Sequence, residues 1–233
     1  CIRDRHNPPQ DNGYKVYLGG RAVNDSGQGA QIVPPYDTEI AAAIDAVGPV
    51  ESVPRPQSGW ETIDPAIREE YIERVAQAAR MKAPAPVRIV LTAMHGVGGA
   101  TCREVLARVG FTDVVEVAEQ FEPDPDFPTV AFPNPEEPGA LDLALARARE
   151  VEADLVIAND PDADRCSAAV PDADAPGGWR QLTGDEVGAL LGEQAAELAA
   201  FAGNGVLACS VVSSRLLRRI AQSHGLGFRR TLT

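Results

Sequence analysis

The sequence predicts an α/β fold: mainly parallel, mixed sheets flanked by helices. Three observations carry that prediction. Short apolar, β-prone runs alternate with longer stretches of helical periodicity, the order expected of strand–helix–strand units. Hairpin signals interrupt that order after residue 166, which makes the sheet mixed. Loops rich in glycine or aspartate follow two of the apolar runs, at 93–99 and 160–165, where open α/β sheets present their ligand crevices.

The first elements are separated by a proline-rich linker. Asn12-Gly13 signals a turn, and the strand after it places Tyr14 and Val16 on one face and Lys15 on the other. Ile40, Ala43, Ile44 and Val47 recur at helical spacing, with Asp37 or Thr38 as N-cap and Gly48-Pro49 as the stop. Pro49, Pro54, Pro56 and Pro65 mark the following stretch as a linker and a domain boundary. A helix over 65–82 then presents Ile67, Tyr71, Ile72, Val75 and Ala79 on one face.

Strand and helix alternate from residue 87 onward. Val87 to Thr92 is a strand, and the glycine loop after it opens a helix with Cys102, Val105, Leu106 and Val109 inward and Gly110 as C-terminal stop. The loop and helix N-terminus together make a possible phosphate cradle. Glycines serving only a tight turn, with His95 as a satisfied loop histidine, are the default reading. Val114 to Val117 is a further strand. The acidic, proline-rich stretch from Glu122 to Pro138 excludes a long helix or a central strand, and Phe121, Phe127 and Phe132 should pin it to the core.

A helix from about Ala140 to Val151 precedes the strand Ala153–Asn159, and Cys166–Val170 pairs with Trp179–Leu182 across a turn. Thr183 and Glu186 fit a capping box for a helix reaching Ala202. A strand from Gly205 to Val212, a basic helix capped by Ser213 or Ser214 and a strand near Phe228 close the chain.

Charge and composition limit the function classes. The 233 residues carry a formal charge of −13 and 44% hydrophobic residues, which suits a globular protein and argues against nucleic acid and anionic membranes as partners. No segment is apolar enough to span a bilayer, and the first residues lack a signal-peptide core. Cys1, Cys102, Cys166 and Cys209 form no Cys-x-x-Cys pair and read as free thiols of a reducing, cytoplasmic compartment, with Cys166 packed.

The chemistry concentrates in Asp160-Pro161-Asp162-Ala163-Asp164-Arg165, directly after an apolar strand. Three carboxylates this close repel one another unless a cation intervenes. A hard divalent cation with oxygen ligands, Mg²⁺ above all, is the natural occupant, and the Arg165 fork would face a second anion such as phosphate. A solvated acidic turn is the plain alternative. An EF-hand fails, because Arg165 and Pro171 stand where Gly and Glu are required. A phosphatase with an aspartyl nucleophile remains a competitor.

The hexapeptide resembles the metal-binding loop of the α-D-phosphohexomutases, the phosphoglucomutase/phosphomannomutase family. The opening stretch from His6 to Lys15 resembles that family's active-site loop, Thr-Ala-Ser-His-Asn-Pro followed by a turn and Gly-x-Lys. His6, Asn7 and Lys15 match. Arg5 stands in the place of the phosphoryl-carrying Ser, and Arg3-Asp4 replace Thr-Ala. This abrupt departure reads as truncation or a reading-frame artefact at a cut chain start, with an inactive relative as the alternative. Residues 92–99, Asp124-Pro125-Asp126-Phe127-Pro128 and Pro133-Asn134-Pro135-Glu136 resemble the phosphoglucomutase/phosphopentomutase branch.

The resemblance implies repeated phosphohexomutase-type domains. Residues 1–58 would end a first domain, 59–182 would form a complete second one with the metal loop, and 183–233 would begin a third, with most of that domain and a fourth absent. It implies Mg²⁺ on Asp160, Asp162 and Asp164, phosphate on Arg165, catalytic roles for His6, Asn7 and Lys15, and a substrate-side position for Thr233. The implied reaction is intramolecular phosphoryl transfer on a hexose or pentose phosphate, through a phosphoserine and a sugar bisphosphate. With Arg5 in the serine position, this chain alone should be inactive. A non-catalytic phosphosugar-binding relative and a Mg-dependent phosphatase are the other readings.

Overall fold

The structure is a computed structural model, and it describes residues 16–19, 23, 28–79 and 86–232. The chain divides into two compact units, 11–67 and the remainder. In the first unit Tyr17 bridges Gln31 in antiparallel fashion. Helix α1 (Tyr36–Ala46) begins after Pro35, not after Asp37 or Thr38. Asp37 instead accepts from the Thr38 N–H inside the first turn. A short 3-10 turn at Val50–Ser52 follows. Every residue from 41 to 67 in this unit is exposed. Limited proteolysis should therefore cut first between 48 and 60. Preferred cleavage inside 140–165 would contradict that expectation.

The larger unit is built on a five-stranded sheet, in the order β2-β1-β3-β4-β5. Strands β1 (Ile89–Thr92), β2 (Val114–Glu116) and β3 (Leu155–Asn159) run parallel. Strands β4 (Cys166–Pro171) and β5 (Trp179–Gln181) are antiparallel additions. The sheet is mixed α/β, as the sequence indicates. Strands β3 and β4 pair directly, a pairing that the sequence reading leaves open, so the aspartate loop is the turn of a hairpin.

Helices α3 (Gly99–Val109) and α5 (Asp142–Glu150) pack against β1, which is buried at all four positions because both of its faces are covered. Val90, Val156, Ala169 and Trp179 meet Ala144 and Ala148 of α5 in one core cluster. Gly110 ends α3 in the left-handed region, with φ of 108°. Of the apolar face predicted for helix α2 (Ala66–Ala78), only Ile72 is buried; Ile67 and Tyr71 are each 58% exposed.

Between β2 and α5 lies the short helix α4 (Ala118–Phe121) and then the proline-rich stretch. Phe121 and Phe127 are buried, whereas Phe132 is partly exposed, at 36%. After β5 the capping box forms as expected: the Glu186 N–H donates to Thr183 Oγ1, and the Thr183 N–H donates to Glu186 Oε2. It starts α6 (Gly184–Phe201). Strands β6 (Val206–Ser210) and β7 (Gly227–Thr231) pair in parallel through α7 (Leu216–Ser223). Arg215 is the N-cap of α7, and Ser214 Oγ accepts from the Leu216 N–H one residue further in. No helix among the described residues is long and apolar enough to cross a membrane.

Candidate metal centre

The sheet sets the site. The parallel strands β1 and β3 are neighbours, so the loops leaving their carboxyl ends emerge side by side. The loop after β3 folds around Asp160, which is fully buried. Its two carboxylate oxygens accept from the Arg165 N–H (3.0 Å) and from Arg165 Nε (2.8 Å). Its backbone carbonyl accepts from the Ala163 N–H at 2.9 Å. Ala163 takes a φ of 55°, a costly conformation for a residue with a side chain. One aspartate thus ties the turn together through both side chain and main chain.

That turn gathers the three carboxylates. Asp160, Asp162 and Asp164 each bring an oxygen within 4.8 Å of the others, with burial falling from complete at Asp160 to exposed at Asp164. Asp162 Oδ1 is buried and has no hydrogen-bond partner. Burial pushes the Asp162 pKa up, and repulsion from Asp160 and Asp164 pushes it further. An orphaned carboxylate oxygen among anionic neighbours suits an oxygen-seeking divalent cation.

Arg165 is tied back to the turn that it ends. Its Nε is committed to Asp160, and Asp164 lies 3.7 Å away. This cation offsets the charge of the buried carboxylate, while 41% of the side chain remains exposed.

The proton linkage of Asp162 has a definite sign. Its pKa is raised in the folded state, so its contribution to stability is fully present below the unfolded-state value. It is lost as pH rises through the raised value. The metal-free protein is expected to melt lower as pH climbs through that window, and Mg²⁺ should restore more stability above the window than below it. Melting curves from pH 4 to 8, with and without Mg²⁺, check this.

The glycine loop after β1 forms the wall of the site. A Cβ on Gly96 would collide with the Pro161 backbone, and one on Gly98 would come within 2.6 Å of the Ala163 Cβ. The Val97 N–H donates to the Pro161 carbonyl at 2.9 Å. These glycines therefore do more than turn the chain: they let a second loop lie flush on the aspartate loop. The start of α3 also brings the positive end of its dipole beside this acidic turn. Cys166, expected as packed, is exposed; Cys102, Cys166 and Cys209 are free thiols. His6, Asn7, Lys15 and Thr233, together with Arg5, lie outside the described residues.

This fold and loop define a phosphohexomutase-type α/β domain. Residues 69–175 match phosphoglucomutase/phosphomannomutase, alpha/beta/alpha domain II. A probable phosphomannomutase of Haemophilus influenzae is 46% identical over 98% of this chain and 45% of its own length. The phosphopentomutase of Homo sapiens is 36% identical over 100% of the chain and 39% of its own length. A solved structure of a phosphoglucomutase/phosphomannomutase family protein from Burkholderia thailandensis has the same fold, with a TM-score of 0.69 at 23% identity, and covers 100% of this chain and 44% of that one. Residues 69–175 match that family's domain II, and the chain, similar to family members along its length, spans less than half the length of these relatives.

Proposed function

We propose that the chain carries the metal-binding domain of a phosphosugar mutase, an isomerase that moves a phosphoryl group between two hydroxyls of one sugar. The observation that carries this reading is the aspartate trio at the carboxyl end of a strand, anchored by the buried, Arg-tethered Asp160, inside the matched domain. Domains ending at 58, running from 59 to 182 and starting at 183 fit the same reading. The substrate would be a hexose or pentose phosphate with its sugar bisphosphate, consistent with relatives named for phosphomannose and phosphopentose chemistry.

Mg²⁺ on Asp160, Asp162 and Asp164 would supply positive charge to a phosphoryl group in flight, the principal demand of this chemistry. Arg165, anchored through Nε, would present its remaining N–H groups to phosphate oxygens. Lys15 would exchange a proton with the sugar hydroxyl, His6 and Asn7 would shape the loop that bears the phosphoryl carrier, and Thr233 would lie near the sugar. The phosphatase alternative needs Asp160 as an in-line nucleophile, yet that carboxylate is buried with both oxygens engaged.

Arg5 bears on activity and metal binding together. A coupled assay of the chain with glucose 1-phosphate and a bisphosphate activator should stay at background. Turnover that survives purification and disappears in Asp162→Ala would overturn the reading of Arg5. Arg5→Ser should bind Mg²⁺ more tightly, and phosphorylation of that Ser should tighten it again, because affinity follows ligand charge. Isothermal titration of the three forms compares them. Equal affinities would place Arg5 away from the trio.

A further inference from the structure

The wall that the glycine loop builds against the aspartate loop is held from behind by a polar network. Met94 and His95 both take left-handed conformations, with φ of 49° and 61°, although neither is glycine. Such residues persist only where their surroundings fix them. Here the surroundings are unusually polar for a core: Thr92, His95 and Gln120 are all buried.

The Met94 N–H donates to Thr92 Oγ1 at 3.1 Å, and Thr92 Oγ1 donates to Gln120 Oε1 at 2.7 Å. The His95 N–H donates to the Gln120 carbonyl at 2.8 Å, and the Asp124 N–H donates to the His95 carbonyl at 2.9 Å. Gln120 Nε2 donates to Thr129 Oγ1 at 2.9 Å, and His95 Nε2 lies 2.8 Å from the same hydroxyl. Burial lowers the His95 pKa, with Asp124 opposing, which suits a neutral ring accepting the Thr129 hydroxyl proton. The next two residues, Gly96 and Val97, are the ones that meet Pro161, the residue between Asp160 and Asp162.

We propose that His95 is a positioning residue for the cation site. With Thr92, Gln120 and Thr129, it fixes the 94–97 shelf on which Pro161 rests, and so sets the spread between the Asp160 and Asp162 carboxylates. The assignment rests on the cation reading of the trio. The proline-rich stretch takes part as well, because Thr129 reaches from it to lock the histidine and the glutamine together.

The test is Mn²⁺ affinity, read by electron paramagnetic resonance alongside thermal melting. His95→Leu removes the ring nitrogens, while His95→Gln returns a polar group near the Nε2 position. Thr129→Val and Thr129→Ser form a second pair at an exposed residue, where the substitution does not cut into the core. The expected result is a loss of about tenfold in His95→Leu, the scale seen when groups supporting metal ligands are removed, with His95→Gln and Thr129→Ser close to the parent and Thr129→Val between. Affinity in Thr129→Val and His95→Leu equal to the parent, with only the melting temperature lowered, would overturn the proposal and leave the network a purely structural one. If His95→Leu does not fold, the Thr129 pair decides the question. A parent that binds no Mn²⁺ would overturn the cation reading and this assignment with it. A parent whose binding is abolished in Asp162→Asn but unmoved by His95→Leu would overturn this assignment alone.

Discussion

Gly96→Ala is expected to cost the larger unit about 1–3 kcal/mol, the usual range for forcing an extra carbon into a packed site. The new Cβ has no room, because the atoms it meets are the Pro161 backbone and not the far end of a flexible side chain. Either the 94–97 shelf or the aspartate loop must move away. The Val97 N–H to Pro161 carbonyl bond is then strained or lost. For a unit of this size each 1 kcal/mol lowers the melting temperature by roughly 2–4 °C. Divalent-cation affinity should fall in the same variant, by about tenfold, since the carboxylates ride on the displaced loop. Gly188→Ala is the control. It lies inside α6 with open space around its Cβ position, so alanine should stabilise the protein by about 0.5–1 kcal/mol. A Gly96→Ala protein that melts and binds metal like the parent would mean that the two loops do not lie against each other.

Asp162→Asn should move stability and metal binding in opposite directions. The aspartate is held near two other carboxylates with one oxygen buried and unpartnered, so its charge disfavours the metal-free fold. Asparagine keeps the volume and removes the charge. Without metal, the variant is expected to melt above the parent at neutral pH. With Mg²⁺ the order should reverse. A parent held at about one hundred times its Kd gains roughly 2.7 kcal/mol from binding, and the variant gains little at the same concentration. A variant that melts below the parent without metal would show that Asp162 is well accommodated as an anion, and the case for a missing cation would lose its physical basis.

Much of this arrangement was legible in the sequence. Alternating aspartates after an apolar strand place the loop, and local rules correctly set the Gly110 stop and the Thr183–Glu186 box. Long-range packing was not legible. Nothing in the 93–99 segment says that its glycines face residues 161 and 163, because close approach between distant segments leaves no local periodicity. The direct β3–β4 pairing is hidden for a related reason: a short apolar run reads alike in parallel and antiparallel neighbours. Sequence also cannot show that the Nε of Arg165 is taken by Asp160. The exposed Ile67, Tyr71 and Phe132 show the same limit from the other side, since apolar spacing reports which face a segment offers and not whether anything covers it.

We propose that Asp160, Asp162 and Asp164 form one divalent-cation site. Calorimetric titration of Mg²⁺ into the parent, into each of Asp160→Asn, Asp162→Asn and Asp164→Asn, and into Asp126→Asn as a surface control tests it most directly. The account predicts a single site in the parent and the control, weakened by at least about tenfold in each of the three variants, because hard-cation affinity tracks the number of charged oxygen ligands. Equal affinity across all five proteins, or no binding to the parent at millimolar Mg²⁺, would contradict it.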